Sequence, residues 1–450
     1  MTKARQLKAA TVFASWQSQL EAAPQILVGL SGGLDSTVLL ALLCEVVPAQ
    51  RLCAVHINHG LSGSADKWQS HVDGFCQSLG VQLHCETVSV KAVGEGPEAA
   101  AREARYQVFS RLLQPQGLIF LGHHADDQVE TVLYRLLRGS GSKGLSGIPV
   151  SRALAGGCLI RPLLQWQKDQ IQAFAEQHNL AWIEDETNLQ STFDRNYLRN
   201  QVVPAIAGRW PDYARRIGHS AQASKINEDL AEAIAADDLQ TLEVKAERGG
   251  WSLCLDAFAA LSAVRQTNVL RHWPGLYQLT LPSHKIIDEI IDSVVNARKD
   301  AAPKVVSHNV RWGRFRNRLY LLIAATDRDG VIKDLQWHVE KPLSLPDGSS
   351  LSGEKQLGQG LLLASDQLLT VRMRSGGERC QPAGRRHSNS LKKLLQERNL
   401  EPWWRDRIPL LYVGEQLVAV GDLWVCEGNQ ATPDQQGIRI HWHLGSQVDC

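Results

Sequence analysis

The sequence predicts an α/β protein in which a parallel sheet wound with helices is followed by a helical middle region and a small α+β carboxyl-terminal region. Three observations predict it. Short apolar runs alternate with longer stretches of helical spacing along residues 26–137, the sequence form of a parallel sheet. A Gly/Ser-rich turn joins the first run directly to the first helical stretch. Beyond residue 199 the pattern changes at Val202-Val203-Pro204 and Trp210-Pro211, a boundary signal.

Residues 26–30, 52–57, 81–90 and 118–121 read as strands. Between them, residues 36–47, 66–79 and 97–113 have helical spacing, and Pro97 falls in a first turn, where its missing N–H has no partner to lose. The middle region is dominated by a long Ala/Glu/Asp-rich helical stretch at 217–242, punctuated by Gly249-Gly250 and by residues 327–330. A Ser/Gly-rich stretch at 348–360 opens a third region of short strand-like runs. With 450 residues, too many for one ordinary core, the expected domains are 1–208, 209–330 and 331–450.

The composition, 44% hydrophobic and 21% charged, is that of a soluble globular protein, so ordinary folding is expected. Lys3, Arg5 and Lys8 precede an apolar run that imitates a signal peptide, yet Trp16-Gln17-Ser18 cuts the run short and Glu21 follows, so a surface helix is expected. No stretch is long and apolar enough for a bilayer, which predicts a soluble protein without a membrane partner, and the scattered cysteines fit a reducing, cytoplasmic location. Nine cysteines without any Cys-x-x-Cys suggest neither a disulfide framework nor a zinc or iron–sulfur site. The net charge of +1 excludes a uniformly basic coat but not local basic clusters. The oligomeric state, a homodimer included, stays open.

The first strand runs into Ser31-Gly32-Gly33-Leu34-Asp35-Ser36-Thr37, with a helix starting at once. Two glycines let the backbone approach an anion, and the hydroxyls and free amides of a helix start donate to phosphate oxygens. Asp35 repels phosphate unless a divalent cation lies between them, so magnesium held by Asp35 is expected. Gly29 to Gly33 also fits Gly-x-Ser-x-Gly, a nucleophile elbow, but a hydrolase would need its histidine from His441 or His443 in a separate region. The Walker lysine is absent, which argues against a P-loop NTPase. Ser-Gly-Gly-x-Asp-Ser resembles the signature of the PP-loop ATP pyrophosphatases, which cleave ATP to AMP and pyrophosphate.

The fourth strand ends in Gly122-His123-His124-Ala125-Asp126-Asp127-Gln128-Val129-Glu130-Thr131, with Leu133, Leu136 and Leu137 following at helical spacing. Asp126, Asp127 and Glu130 therefore crowd one end of a helix at the carboxyl edge of the sheet, where ligand crevices lie. Taken alone, acids there are also ordinary capping chemistry. This block is similar to the second motif of the tRNA(Ile)-lysidine synthetase family. The same family resemblance is carried by His56-Ile57-Asn58-His59-Gly60-Leu61, Ala101-Arg102-Glu103-Ala104-Arg105-Tyr106, Arg161-Pro162-Leu163-Leu164, and Asp185-Glu186-Thr187-Asn188 before Arg195-Asn196-Tyr197-Leu198-Arg199. Ser62 departs from it, standing where many relatives have arginine. Gly139-Ser140-Gly141-Ser142-Lys143-Gly144 matches a dinucleotide fingerprint by accident, since it follows a helix, and reads as a flexible basic loop able to touch RNA through Arg138 and Lys143.

The resemblance implies a fold, a reaction and partners: a Rossmann-like PP-loop domain that uses ATP, magnesium and L-lysine to convert the wobble cytidine of CAU-anticodon isoleucine tRNA into lysidine through an adenylated tRNA. Ser31, Gly32, Gly33, Leu34, Asp35 and Ser36 would hold ATP. Asp35, Asp127, Glu130 and Arg199 would be catalytic, Asp127 and Glu130 orienting the amine and Arg195 or Arg199 taking the lysine carboxylate. His56, His123, Asp126 and Asp185 would face the nucleotide or substrate. In the third region, Arg374, Arg385, Lys392, Lys393 and Arg405, with Trp403-Trp404 to stack on bases, resemble the C-terminal domain of long-form members and would bind tRNA. Two rivals remain: a PP-loop tRNA cytidine thiolase, which needs paired cysteines, and a catalytically silent RNA-binding protein on the same scaffold.

Overall fold

The computed structural model describes residues 6–58, 65–88, 97–184, 194–298, 301, 303–323, 334–364 and 366–444. The chain divides into two compact units, Met1–Leu230 and Ala231–Cys450.

The first unit is built on a six-stranded sheet of β1 (Ile26–Gly29), β2 (Leu52–Asn58), β3 (Gln82–Thr87), β4 (Leu118–Phe120), β5 (Ser151–Leu154) and β6 (Gly157–Ile160), in the order β3-β2-β1-β4-β6-β5. All neighbours are parallel except the β5–β6 hairpin. The helices of this sheet are α1 (Leu34–Cys44), α2 (Ala65–Leu79), α3 (Pro97–Leu112), α4 (Ala125–Leu137) and α5 (Lys168–Gln177). The four strands and the helices expected from the sequence are present within a few residues of their expected ends; the hairpin and α5 were not anticipated. β1 is buried along most of its length, and α1 buries Leu34, Val38, Leu39, Leu40, Leu42 and Leu43. A helix apolar on all faces has no solvent side to turn outward, so α1 is locked in register, and with it the turn that starts it.

Strand order reverses between β1 and β4, because β1 continues to β2 on one side and β4 to β6 on the other. In open parallel sheets such a reversal opens a crevice beyond the carboxyl ends of the strands. The loops leaving β1 and β4, the two motifs singled out above, flank it.

A 29-residue helix, α6 (Tyr213–Thr241), carries the chain from the first unit to the second. The first part of the second unit includes helices α7 (Ala263–His272) and α8 (His284–Ile290), with a core that holds Trp273, Phe258 and Trp312. The helical middle region expected from sequence is thus present, and it also carries an antiparallel five-stranded sheet including Val310–Phe315 and Arg318–Ile323. The remainder is α+β, with antiparallel sheets and a short helix, α9 (Leu391–Glu397). Trp403 and Trp404 correct an expectation here: at 8% and 4% exposure they belong to the core, packed edge-on against Tyr320 and Trp442, and are not available to stack on bases. Among the described residues no helix is long and apolar enough to cross a membrane.

Candidate active site

The phosphate loop is shaped by its own side chains. Ser36 Oγ donates to Gly33 O at 3.0 Å and lies 3.0 Å from Ser31 Oγ, which accepts from the Gly33 amide at 3.3 Å. Thr37 Oγ1 donates to Gly32 O at 3.4 Å. The hydroxyls therefore brace the loop, while Gly33 leaves the first-turn amides of α1 without a side-chain cap, free to meet an anion. Gly32 has φ of 87°, and a Cβ there would lie 2.8 Å from Ile183. The buried His56 ring supports the loop from β2, its Nδ1 2.9 Å from Leu30 O.

Gly122, at the end of β4, was read only as part of a motif. A Cβ on it would sit 3.0 Å from both the carbonyl carbon and oxygen of Asp35 and 3.1 Å from the Ser36 amide. These are backbone atoms that cannot swing aside, so glycine is what lets the two motifs touch.

Asp35 is the loop's anomaly. Its side chain is 35% exposed, yet Oδ1 is shut off from solvent without a hydrogen-bond partner, and burial raises its pKa. Oδ2 lies 3.6 Å from His124 Nε2. A buried carboxylate oxygen lacking a donor, beside amides poised for phosphate, fits a hard divalent cation. Among the described residues no group of three or more His, Cys, Asp or Glu makes a cage for a metal.

The three acids behind the loop each have a separate partner. Asp127 Oδ2 accepts from the His124 amide at 2.9 Å, closing a capping box at the start of α4. Asp126 is a tether: Oδ1 accepts from Tyr213 at 2.6 Å and Oδ2 from the Lys168 amide at 2.9 Å, which joins α4 to α5 and α6. Despite burial, these donors and His124 hold its carboxyl well below the usual range. Glu130, buried, makes a two-pronged pair with Arg199, with Nε to Oε1 at 2.6 Å and Nη2 to Oε2 at 2.8 Å. Burial pushes the Glu130 carboxyl up while Arg199 pulls it back; because both oxygens accept from the guanidinium, we treat the pair as ionised. Arg199 sits in a π-helical turn, Leu198–Val202, and its Nη2 also approaches Asp127 Oδ1 to 3.6 Å. Such turns recur at functional sites.

The two histidines are driven in opposite directions. Burial, helped by Arg161, Arg102 and Arg105 and opposed by Asp127, lowers His123 to about 3, leaving it neutral with an unpartnered Nδ1. His124 is also buried, but Asp126, Asp127 and Asp35 outweigh that, and its pKa is pushed up to about 9. A neutral His124 would accept the Asp126 amide at Nδ1, 3.2 Å away; the imidazolium turns that nitrogen's proton toward Asp126 Oδ2 at 3.4 Å instead. Three carboxylates around one ring favour the imidazolium.

The remaining expected residues divide. Arg195 donates to Thr131 at 3.0 Å, beside α4. Asp185 lies outside the described residues. Arg138 and Lys143 are exposed, but the segment between them and residue 148 is no loose loop: Arg135 donates to Gly144 O and Gly147 O at 3.0 and 2.7 Å, and Gln128 grips Ile148. In the second unit, Lys392 and Lys393 are exposed on α9, and Arg385 pairs with Glu397 at 2.7 Å. Arg374 is engaged by Asp406 at 2.8 Å and Glu378 at 3.7 Å, and Arg405 donates to Leu400 O.

Against known families, residues 1–206 match the PP-loop domain, residues 253–320 the TilS substrate binding domain and residues 369–442 the TilS substrate C-terminal domain. A tRNA(Ile)-lysidine synthase from Coxiella burnetii is 39% identical over 423 residues, covering 92% of each chain. The chain belongs to the tRNA(Ile)-lysidine synthase family. The synthase from Pseudomonas fluorescens is 40% identical over 425 residues, again 92% of each chain. A solved U34-tRNA thiolase from Methanococcus maripaludis aligns over 48% of this chain and 79% of its own, at 17% identity and a TM-score of 0.38. As a lysidine synthase family member the protein is an ATP-binding, tRNA-modifying ligase.

Proposed function

We propose that the protein joins L-lysine to the wobble cytidine of CAU-anticodon isoleucine tRNA, through an adenylated tRNA, releasing AMP and pyrophosphate. The observation that carries the chemistry is the unpartnered Asp35 oxygen inside a phosphate loop that touches the acid-lined start of α4. In this reading residues 1–208 hold the chemistry, residues 209–330 and 331–450 hold the RNA, and the protein works in the cytoplasm.

The α1 amides bind the triphosphate and Asp35 holds magnesium, which when bound supplies charge neutralisation for the departing pyrophosphate. His124, as an imidazolium, offsets the charges of Asp35 and Asp127 so that a triphosphate is not met by bare carboxylates. Lysine then needs an amine without its third proton, and a free ammonium has a pKa of ~10.4. Asp127 Oδ1 is the acid oxygen best placed to orient it, since Oδ2 caps the helix and both Glu130 oxygens are engaged by Arg199. Arg199 takes the lysine carboxylate by loosening its grip on Glu130, which then faces the amine.

A thiolase has no support in this chain: the cysteines are free thiols among the described residues, and none belongs to the site described above. The test is mass spectrometry of the wobble nucleoside after incubation with ATP and labelled lysine, with pyrophosphate release followed in parallel. Label on the cytidine, lost together with pyrophosphate release in Asp35→Ala, is expected. RNA binding without pyrophosphate release would make the protein a silent scaffold and overturn the reading.

A further inference from the structure

We propose that Arg102, Arg152 and Arg161, gathered around Tyr106, form a subsite for a phosphodiester of the bound RNA, separate from the phosphate loop. The inference rests on the tRNA reading above and adds to it the place where the strand is gripped.

The position follows from topology. Arg161 comes directly after the last residue of β6, and Arg152 lies on β5 opposite Leu159. Arg102 is in the second turn of α3, which starts on the carboxyl side of the sheet. β6 neighbours β4, whose end carries His123, so the cluster borders the same crevice. It is two strand spacings from β1, about 10 Å at ~4.8 Å each, which sets it beside the triphosphate loop and not within it.

The chemistry is that of an anion cup. Arg152 Cζ lies 4.4 Å and Arg102 Cζ 5.2 Å from the Tyr106 ring centroid, and Arg161 Nη2 donates to the Tyr106 hydroxyl at 3.1 Å. Among the described residues no carboxylate comes within ion-pair distance of these three arginines. Arg161 is 2% exposed; its Nη1 donates to Pro149 O at 2.8 Å, while Nε is buried with no acceptor. Stacking on a phenol accounts for Arg152 but not for that idle donor, nor for three positive charges gathered with no carboxylate beside them among the described residues. Although burial acts the other way, the guanidiniums lower the Tyr106 pKa, which registers their positive field. Arg102 and Arg152 are exposed, so a polymer can reach them, and planar guanidinium forks match phosphate oxygens.

The test uses the full chain, a CAU-anticodon tRNA transcript and the double variant Arg102→Gln/Arg152→Gln, with Arg152→Gln alone as a second variant. Both residues are on the surface, so folding is preserved. Two lost contacts to a single strand should lower the slope of log affinity against log salt by about 1.4, and weaken binding about tenfold near physiological salt. The single variant should show about half that slope change, with the affinities for ATP and for pyrophosphate unchanged in both. An unaltered slope overturns the subsite, and loss of ATP or pyrophosphate affinity with the slope intact reassigns the cup to the nucleotide. Failure of the wild-type protein to release pyrophosphate with tRNA and lysine would instead defeat the functional reading itself.

Discussion

Replacing His124 with Asn removes a charge while keeping an N-cap, and it tests the electrostatics on which the site depends. The ring is 7% exposed, with Asp126 Oδ2 3.4 Å from Nδ1, and Asp127 Oδ2 and Asp35 Oδ2 3.5 and 3.6 Å from Nε2. In the unfolded chain it titrates near 6.5; in the fold, against burial, the carboxylates push it up to about 9. A folded pKa above the unfolded one means that the stabilisation is complete below pH ~6.5 and is lost as pH rises through about 9. The gap corresponds to about 3 kcal/mol at ~1.36 kcal/mol per pH unit.

Free of ATP and magnesium, the wild-type protein should therefore lose about 3 kcal/mol of stability from this group as pH climbs across that window. For a unit of this size that is a fall in Tm of roughly 6–12 °C. Above pH ~9 the neutral ring and Asn can both accept the Asp126 amide, whereas the imidazolium cannot, so His124→Asn keeps an N-cap at every pH and removes the charge. Thermal unfolding on a pH series should show the variant less stable than wild type at pH ~6 and level with it above pH ~9, groups common to both cancelling in the difference. A wild-type minus variant difference that stays flat across the series would refute the imidazolium and with it the neutralisation of Asp35.

Two further outcomes follow from the same geometry. Glu130→Gln removes a pair whose acid is buried and whose arginine is 38% exposed, so the cost should fall below the ~3–5 kcal/mol of a fully buried pair, at about 2 kcal/mol; adenylated tRNA should accumulate because adenylation survives while lysine transfer slows, and normal transfer would show that neither Glu130 nor its grip on Arg199 matters to the second step. Gly122→Ala forces its Cβ against the Asp35 and Ser36 backbone, an overpacking of about 1–3 kcal/mol; titration calorimetry should find ATP affinity about tenfold weaker with tRNA affinity unchanged, and unaltered ATP binding would dissolve the link between the two motifs.

What could be read from sequence was whatever local chemistry dictates. The alternation of residues 26–121 shows four parallel strands, most plainly where β1 and β4 are buried on both faces, and Ser31 to Ser36 announces an anion site because paired glycines next to a helix start have few other uses. Partners distant in the chain were not legible. Nothing near Asp126 indicates Tyr213, 87 residues away, and nothing near Arg161 shows that its neighbours Arg102 and Arg152 come from a helix and an edge strand. The hairpin of β5 and β6 was missed because its strands are four residues each, with β5 largely exposed and little apolar signal. Trp403 and Trp404 misled for a different reason: aromatic residues among arginines suit stacking on bases and packing in a core equally well, and burial alone decides.

The acids at the start of α4 show what a cluster of carboxylates at a helix start does in the fold. Sequence left the choice open, and the structure answers residue by residue: Asp127 caps, Asp126 tethers, and Glu130 holds Arg199. Capping leaves Asp127 Oδ1 outside the capping bond, 3.6 Å from Arg199 Nη2. The tether keeps Asp126 ionised, which helps His124 carry its proton next to Asp35. Structural satisfaction of one set of atoms is thus what orients the others, since a carboxylate has two oxygens and only one is needed to hold a helix. Asp127 is the acid of the three for which this holds, since both oxygens of Asp126 and both of Glu130 already accept hydrogen bonds.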